Sequence, residues 1–558
     1  MSFDPQEFSP RRAPARRYVV DSSGNGKSNG NGMSAKTATN GDSVAPAARP
    51  LVSTRRVRRA KRQFSFARRA SGVLMHITSL PGPHGSGDLG PAAFEFADWL
   101  ASAGQRWWQM LPVGPPDLVG NSPYSSSSAF AGNPWLVSLE RLAEDGLLTP
   151  DEIKPTKPFD PHRINHKSVN AFREKLLRRA FARFSAQGQR WADDLEAFRR
   201  RSSGWLDDFT LFSAIKHGQQ NRAWIKWPRA LRRREPGAIE QIREKFESEI
   251  AFHEFVQFEF DRQWRALKTY CSHRDIGLIG DIPIFVDFDS CDVWAHPELF
   301  QLDASGHPRA VTGCPPDDFN PDGQLWRHPH YNWDVHRESD FAWWVSRFAL
   351  TMAMFDGVRI DHFLGMHQLW SIPPKHKNAR KGQWIAGPGA PLFEALKREL
   401  GELPIIAEDL GYVTPEALRL RDQFRFPGMR IMQFGFGGND YNLPHTYVKR
   451  CVAYTGTHDN ETIAGWLKKA PGHERKKALA YVDCTAREFP DQIVRWLLGS
   501  VADTVIFPTQ DLLGLGDEGR MNVPGTTNGN WSWRLSPRAL SVRLATKFRR
   551  MSELYGRI

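Results

Sequence analysis

Residues 352–361 read MAMFDGVRID, and the reading of this stretch decides the fold. An apolar run ends in an arginine and an aspartate two positions apart. In a β-strand, residues i and i+2 point to the same face. Arg359 and Asp361 are therefore expected side by side, with Val358 and Ile360 packed on the opposite face. A fixed positive charge beside a carboxylate favours its ionised form. An ionised carboxylate at a strand end is what a nucleophile needs. A purely structural Arg–Asp pair at a strand terminus has the same local signature, so the stretch has to be weighed with the rest of the chain.

Working outward, seven further apolar stretches have strand character: 71–80 (SGVLMHITSL), 106–113 (RWWQMLPV), 278–286 (LIGDIPIFV), 404–410 (PIIAEDL), 430–436 (RIMQFGF), 451–462 (CVAYTGTHDNET) and 503–514 (DTVIFPTQDLLG). Helical patterns separate most of them. The first unit is a strand, a glycine-rich loop, a helix opened by Pro91 and a second strand, which implies parallel pairing. Eight such units predict an α/β protein, a closed (β/α)8 TIM barrel with large helical and loop insertions. An open doubly wound sheet is the runner-up, but its dinucleotide fingerprint is missing. Gly82, Gly85, Gly87 and Gly90 are spaced like a phosphate cradle, yet no Gly-Lys-Ser/Thr follows and no acidic residue closes a second strand.

The expected organisation is a basic, disordered extension over residues 1–70 and a catalytic barrel over 71–558. The barrel carries an inserted helical subdomain at about 140–270 and a loop insertion at about 288–335, rich in Pro and Trp. Net charge is +13, but residues 1–70 hold 12 Arg and 3 Lys against 4 acids and so carry +11 of it. The body is near neutral, so nucleic-acid binding is not expected of the catalytic domain. The charge run RRVRRAKRQ (55–63) reads as a solvated tail whose partner is unknown. No run of 18 apolar residues exists, so no membrane span is expected. Five cysteines without a CxxC argue against a disulfide framework or a zinc site and favour a reducing compartment. The expected location is cytoplasmic, or a plastid if the Arg-rich extension is a transit peptide.

In a barrel of this type the chemistry sits on the loops at the C-terminal ends of the strands. Those ends present Asp361, Glu408 and His458-Asp459, so three acids from three strands are expected to converge on one mouth. Carboxylates without a metal motif suggest glycosidic chemistry, in which one acid stays protonated and another stays charged. Arg359 is expected to keep Asp361 charged. Glu408 follows Ile405, Ile406 and Ala407, and this apolar context is expected to raise its pKa. Metal binding by the same acids competes, but no HxH or HExxH spacing supports it. The 20 tryptophans suggest a sugar substrate where they lie in polar loops, because sugar C–H faces stack on aromatic planes. Trp99, Trp107 and Trp108 read as core instead, whereas Trp326, in GQLWRHPHYNWD, does not.

Eight blocks in order then carry a resemblance: SGVLMHITSLPGPHGSGDLG, NSPYSSSSAFAGNPW, GDIPIFVDFDSCDVW, FDGVRIDHFLG, IIAEDLG, FPGMRIMQF, YTGTHDNET and PTQDLLGLGDEGRMNVPGTTNGNWSWR. The chain resembles the 4-α-glucanotransferases of glycoside hydrolase family 77, the amylomaltases or disproportionating enzymes, from Ser71 to about Arg534. The resemblance implies transfer of α-1,4-glucan segments, with maltooligosaccharides as donors and acceptors and no cofactor or metal. It implies that Asp361 is the nucleophile, Glu408 the general acid/base and Asp459 the third acid that stabilises the transition state. Arg359 and His458 match residues around the sugar next to the scissile bond. Tyr124 and Asp281 match further sugar contacts, and Trp326 matches a loop tryptophan near the acceptor. An amylase-like hydrolase and a silent glucan-binding protein are the alternatives. The chain departs from the family at Asn320-Pro321-Asp322, where Ser-Glu-Thr is usual, at Arg327-His328, where Gly-Asn is usual, and at Ser127, where an aromatic is frequent.

Overall fold

The computed structural model describes residues 64–117, 120–316 and 320–558. Eight parallel strands close into a barrel: β1 (Ala70–Leu74), β2 (Trp107–Gln109), β3 (Gly277–Ile282), β4 (Gly357–Ile360), β5 (Ile405–Ala407), β6 (Gly428–Ile431), β7 (Cys451–Tyr454) and β8 (Thr504–Pro508). Closure comes from β1 lying parallel to β8, with Ala70 opposite Thr504 and Leu74 opposite Pro508. Each expected strand falls on one of these eight, and the strand order around the barrel follows the chain. The strands are buried along nearly their whole length, as expected when helices cover a parallel sheet on the outside. Trp99, Trp107 and Trp108 are core, as expected.

Helices fill most of residues 139–272. The last of them, Glu247–Ser272, runs for 26 residues and has two jobs. Its N-terminal half packs Phe252, Phe255 and Phe258 among Phe181, Phe184 and Trp191 of the other helices. Its C-terminal half covers the barrel, where Trp264 meets Phe355 edge-on and donates to the Met354 carbonyl. The inserted helices are thus rooted in the helix that connects β2 to β3.

Three features differ from the sequence reading. The 430–436 run is strand only to Ile431; Met432–Phe436 turns at once into a helix. A short apolar run does not distinguish the two. The region at about 288–335 is not irregular throughout. Its strands Val311–Cys314 and Gln324–Pro329 join Gln368–Ile372 and Gln383–Ala386 in a four-stranded antiparallel sheet beside the barrel. These strands are short and polar, so their alternation is faint. Finally, order begins before Ser71. Most of the expected 1–70 extension lies outside the described residues, but of its last seven Phe64, Phe66 and Ala70 are buried. Phe66 stacks on Trp107 at 4.8 Å, and Phe64 lies 5.6 Å from the same ring. Arg69 donates to the carbonyls of Leu498, Ser500 and Tyr555.

Phe66 explains a glycine at the start of β4. A Cβ at Gly357 would lie 2.3 Å from Phe66 Cζ, so the ring occupies the space a side chain would take. The two phenylalanines therefore seal the starts of β2, β3 and β4. Replacing Phe66 with alanine is expected to destabilise the fold by about 3 kcal/mol, the usual cost of emptying a buried aromatic site. Denaturant unfolding measures it, and an unchanged midpoint would contradict this packing role.

Candidate active site

The mouth of the barrel is built around Arg359. Its side chain is buried, and the β3–β4 register puts it directly across from Asp281 on the inward face. Nη1 donates to Asp281 Oδ2 at 2.5 Å. Nη2 donates to Asp361 Oδ1 at 3.0 Å and to Glu408 Oε2 at 2.7 Å. One guanidinium thus holds three carboxylates that arrive from the ends of β3, β4 and β5. The i, i+2 expectation for Arg359 and Asp361 holds, and Glu408 joins them from the next strand.

Glu408 receives a second donor from backbone shape. His362 has φ 51°, in the left-handed region, and its N–H donates to Glu408 Oε2 at 2.7 Å. A non-glycine residue in that region costs about 1–2 kcal/mol, which the charge-assisted bond offsets.

The other side of the mouth comes from the loops after β2, β7 and β8. Tyr124 donates from its hydroxyl to Asp281 Oδ2 at 2.7 Å and stacks flat on His458, ring centroids 5.2 Å apart. His458 Nε2 lies 3.3 Å from Asp459 Oδ2, and Asn522 Nδ2 donates to Asp459 Oδ1 at 2.6 Å. Trp531 leans on both Tyr124 and His458, at 5.8 and 6.0 Å, from a backbone with φ 58°. All seven of the expected residues Asp361, Glu408, Asp459, Tyr124, Asp281, Arg359 and His458 are linked through these contacts. The eighth, Trp326, meets the His362 ring edge-on at 5.0 Å and so stands beside the segment that holds Glu408.

Sequence reasoning did not single out Asn522 and Trp531, and it weighed His362 only as a possible metal ligand beside Asp361. Their signal is faint: Asn522 and Trp531 lie inside one long polar loop, and the positive φ values belong to the backbone.

The electrostatics correct one expectation. Burial raises Asp361 well above the usual carboxylate range, and the nearby charges of Glu408, Asp281 and Asp459 add to it, against the pull of Arg359. Burial acts the same way on Glu408, but there Arg359 and the His362 amide outweigh it and the pKa is lowered. These directions are the opposite of the expected ones, Asp361 low and Glu408 high. Apolar neighbours in sequence indicated burial correctly, but the shorter bond to the shared guanidinium goes to Glu408. Burial also opposes ionisation of Asp459, yet His458 and Asn522 hold it well below the usual range. His76, pushed down to about 3 by burial and the charge of His458, stays neutral beneath the site.

The loop that departs from the family pattern flanks Trp326. Asp322 pairs with Arg380 at 2.6 Å, and residues 317–319 lie outside the described part. Arg327 stands where the resembled family usually has glycine, and it keeps φ at 68°. A charged side chain thus occupies a backbone shape that suits glycine. Among the described residues, His84, Asp88 and Glu140 bring ligand atoms within 4.8 Å of one another. Those atoms serve one another and the fold: Asp88 binds Arg173 at 2.8 Å and the Gly90 amide at 2.9 Å, and His84 lies 3.3 Å from Glu140.

Comparisons with known proteins point to one family. A family model described as 4-alpha-glucanotransferase matches residues 75–541. The 4-alpha-glucanotransferase of Thermus thermophilus is 43% identical over 503 residues, covering 88% of this chain and 99% of that protein. The chloroplastic/amyloplastic 4-alpha-glucanotransferase of Solanum tuberosum is 41% identical over 502 residues, covering 88% and 87%. The amylomaltase of Streptococcus agalactiae, solved in complex with acarbose, superposes with a TM-score of 0.85 at 40% identity, covering 88% of this chain and 99% of that one. The chain belongs to the 4-α-glucanotransferase family.

Proposed function

We propose that this chain cleaves an α-1,4-linked glucan and passes the released segment to the 4-hydroxyl of a second glucan or of glucose. The reading is a retaining double displacement, with Asp361 as nucleophile, Glu408 as general acid and then base, and Asp459 stabilising the transition state. The observation that carries it is the shared nitrogen. Asp361 Oδ1 and Glu408 Oε2 both accept from Arg359 Nη2, so they lie no further apart than the sum of the two bonds, 5.7 Å. Retaining glycosidases hold their carboxyls about 5–5.5 Å apart, whereas inverting ones leave about 6.5–9.5 Å for a water.

In the first step Asp361 attacks the anomeric carbon, and Glu408 gives its proton to the departing glycosidic oxygen. A covalent β-glucosyl ester on Asp361 results. In the second step Glu408 takes the proton of the acceptor 4-hydroxyl, whose oxygen displaces Asp361 and restores the α-linkage. The pair therefore works with one proton between its two carboxyls. Glu408 has to hold that proton when the first step begins. Arg359, bonded to both, compensates whichever carboxylate is charged. Tyr124, Asp281, His458 and Trp326 are placed by this reading around the bound sugars. Carriage of the sugar to an acceptor instead of water relies on acceptor binding beside Trp326, which excludes water. The buried thiols of Cys271, Cys291 and Cys451 suit a reducing compartment, such as a cytoplasm or plastid. Among the described residues, no helix is long and apolar enough to cross a membrane.

Three outcomes are expected. Maltotriose should give glucose plus a ladder of longer maltodextrins; only shorter sugars would favour the amylase-like hydrolase. Asp361→Asn should abolish turnover while leaving glucan binding measurable by calorimetry, and an active variant would remove Asp361 from the role assigned. Glu408→Gln should slow maltotriose turnover by about 10²- to 10⁴-fold but spare the first step with α-glucosyl fluoride, whose leaving group needs no proton. Equal losses on both donors would contradict an acid role.

The pH dependence of kcat/KM should be bell-shaped. Below the lower apparent pKa of the Asp361–Glu408 pair both carboxyls are protonated and no nucleophile is charged. Above the upper one both are ionised and no acid remains. Because one value is lowered and the other raised, the plateau should be wider than that of two unperturbed carboxyls. A single-limbed profile would contradict the shared proton.

A further inference from the structure

Large aromatic side chains are rarely left in water without a reason, and two of them here are left there together. Tyr412 is 66% exposed and Trp384 is 37% exposed. Their rings stack at 5.5 Å with 26° between planes, and Trp370, the cross-strand partner of Trp384, meets it edge-on at 5.1 Å. Trp370 is in turn held by its Nε1, which donates to the Ala379 carbonyl. The outer face of Tyr412 is thus backed by two further rings, in one preset orientation. The segment that leads into Trp384 is polar, with Arg380, Lys381 and Gln383 exposed. Such a plate, apolar on its face and hydrogen-bonding at its rim, matches a sugar ring better than an apolar protein surface.

Its position ties it to the mouth of the barrel. Tyr412 lies on the same loop as Glu408, four residues further on. Their Cα atoms are therefore no more than about 14 Å apart. Trp384 sits on the edge strand Gln383–Ala386 of the antiparallel sheet, and Trp326 sits on the opposite edge strand, Gln324–Pro329. Three strand spacings separate those edges, about 14 Å. The cross-strand row Leu325, Gly313, Trp370 and Trp384 faces away from the side that presents Trp326. The plate is consequently a separate station, beside the site but not inside it.

We propose that Tyr412, backed by Trp384, is an outlying binding plate for an α-1,4-glucan chain too long to be contained in the active site. It rests on the function proposed above and adds to it a basis for preferring long chains. A short sugar occupying only the mouth does not reach the plate. A long chain that passes over the rim gains one extra stacked ring, and stacking of this kind contributes roughly 2- to 10-fold in affinity.

The test is steady-state kinetics of the full chain with maltotriose and with long-chain amylose, for the parent, Tyr412→Ala, Trp384→Ala and Tyr412→Phe. The expected result is a roughly 2- to 10-fold higher KM for amylose in both alanine variants, with kcat and the maltotriose constants unchanged. Tyr412→Phe should keep the parental values, because the ring is retained. An unchanged amylose KM in Tyr412→Ala would overturn the proposal, and so would an equal rise for maltotriose and amylose. A parent enzyme that makes no ladder from maltotriose would overturn the transferase reading itself, and the plate with it.

Discussion

One guanidinium organises this protein. Arg359 is buried at the end of β4 and is the common donor to Asp281, Asp361 and Glu408. Three carboxylates brought this close without it would repel one another in a poorly solvated mouth, and removing one partner from such a buried arrangement costs about 3–5 kcal/mol. Much of the architecture serves this contact. The β3–β4 register sets Asp281 opposite Arg359, and the β4–β5 register brings Glu408 alongside. The left-handed turn at His362 aims one more donor at Glu408.

The same contact determines the proton inventory. In the reaction proposed above, one proton is shared between Asp361 and Glu408. Double displacement needs that proton to change sides between its two halves. A guanidinium bonded to both oxygens stabilises either arrangement with little movement of heavy atoms. Asp459 is kept out of this exchange. Its own partners, His458 and Asn522, hold it ionised, which suits a fixed charge facing a cationic transition state.

Much of the barrel was legible in the sequence, because each strand is an apolar run that ends in a polar turn. Asp361, Glu408 and Asp459 were legible for the same reason: the first two directly follow such a run, and Asp459 lies in the polar turn that ends one. What the sequence concealed was set by contacts between strands or by backbone shape. Glu408 follows Ile-Ile-Ala, which indicated burial, but nothing local indicated that Arg359 would bind it more closely than Asp361. Asn522 and Trp531 reach the site from a loop about 60 residues beyond Asp459, and only the folded chain brings them there. The antiparallel sheet escaped notice because QLWRHP and QWIA lack a clean period of two. Phe64 and Phe66 sit beside a charge run that resembles a tail, and only their packing on Trp107 shows that they belong to the fold.

The most direct test of the central claim is to find where the sugar is held between the two halves of the reaction. The enzyme, mixed with a slow glucosyl donor such as a fluorinated α-glucosyl fluoride, is quenched in acid, digested and mapped by mass spectrometry. The account predicts a glucosyl adduct on the peptide that contains Asp361, attached through its carboxylate and lost when an acceptor glucan is added before the quench. An adduct on Glu408 or Asp459, or turnover with inversion at the anomeric carbon, would contradict it.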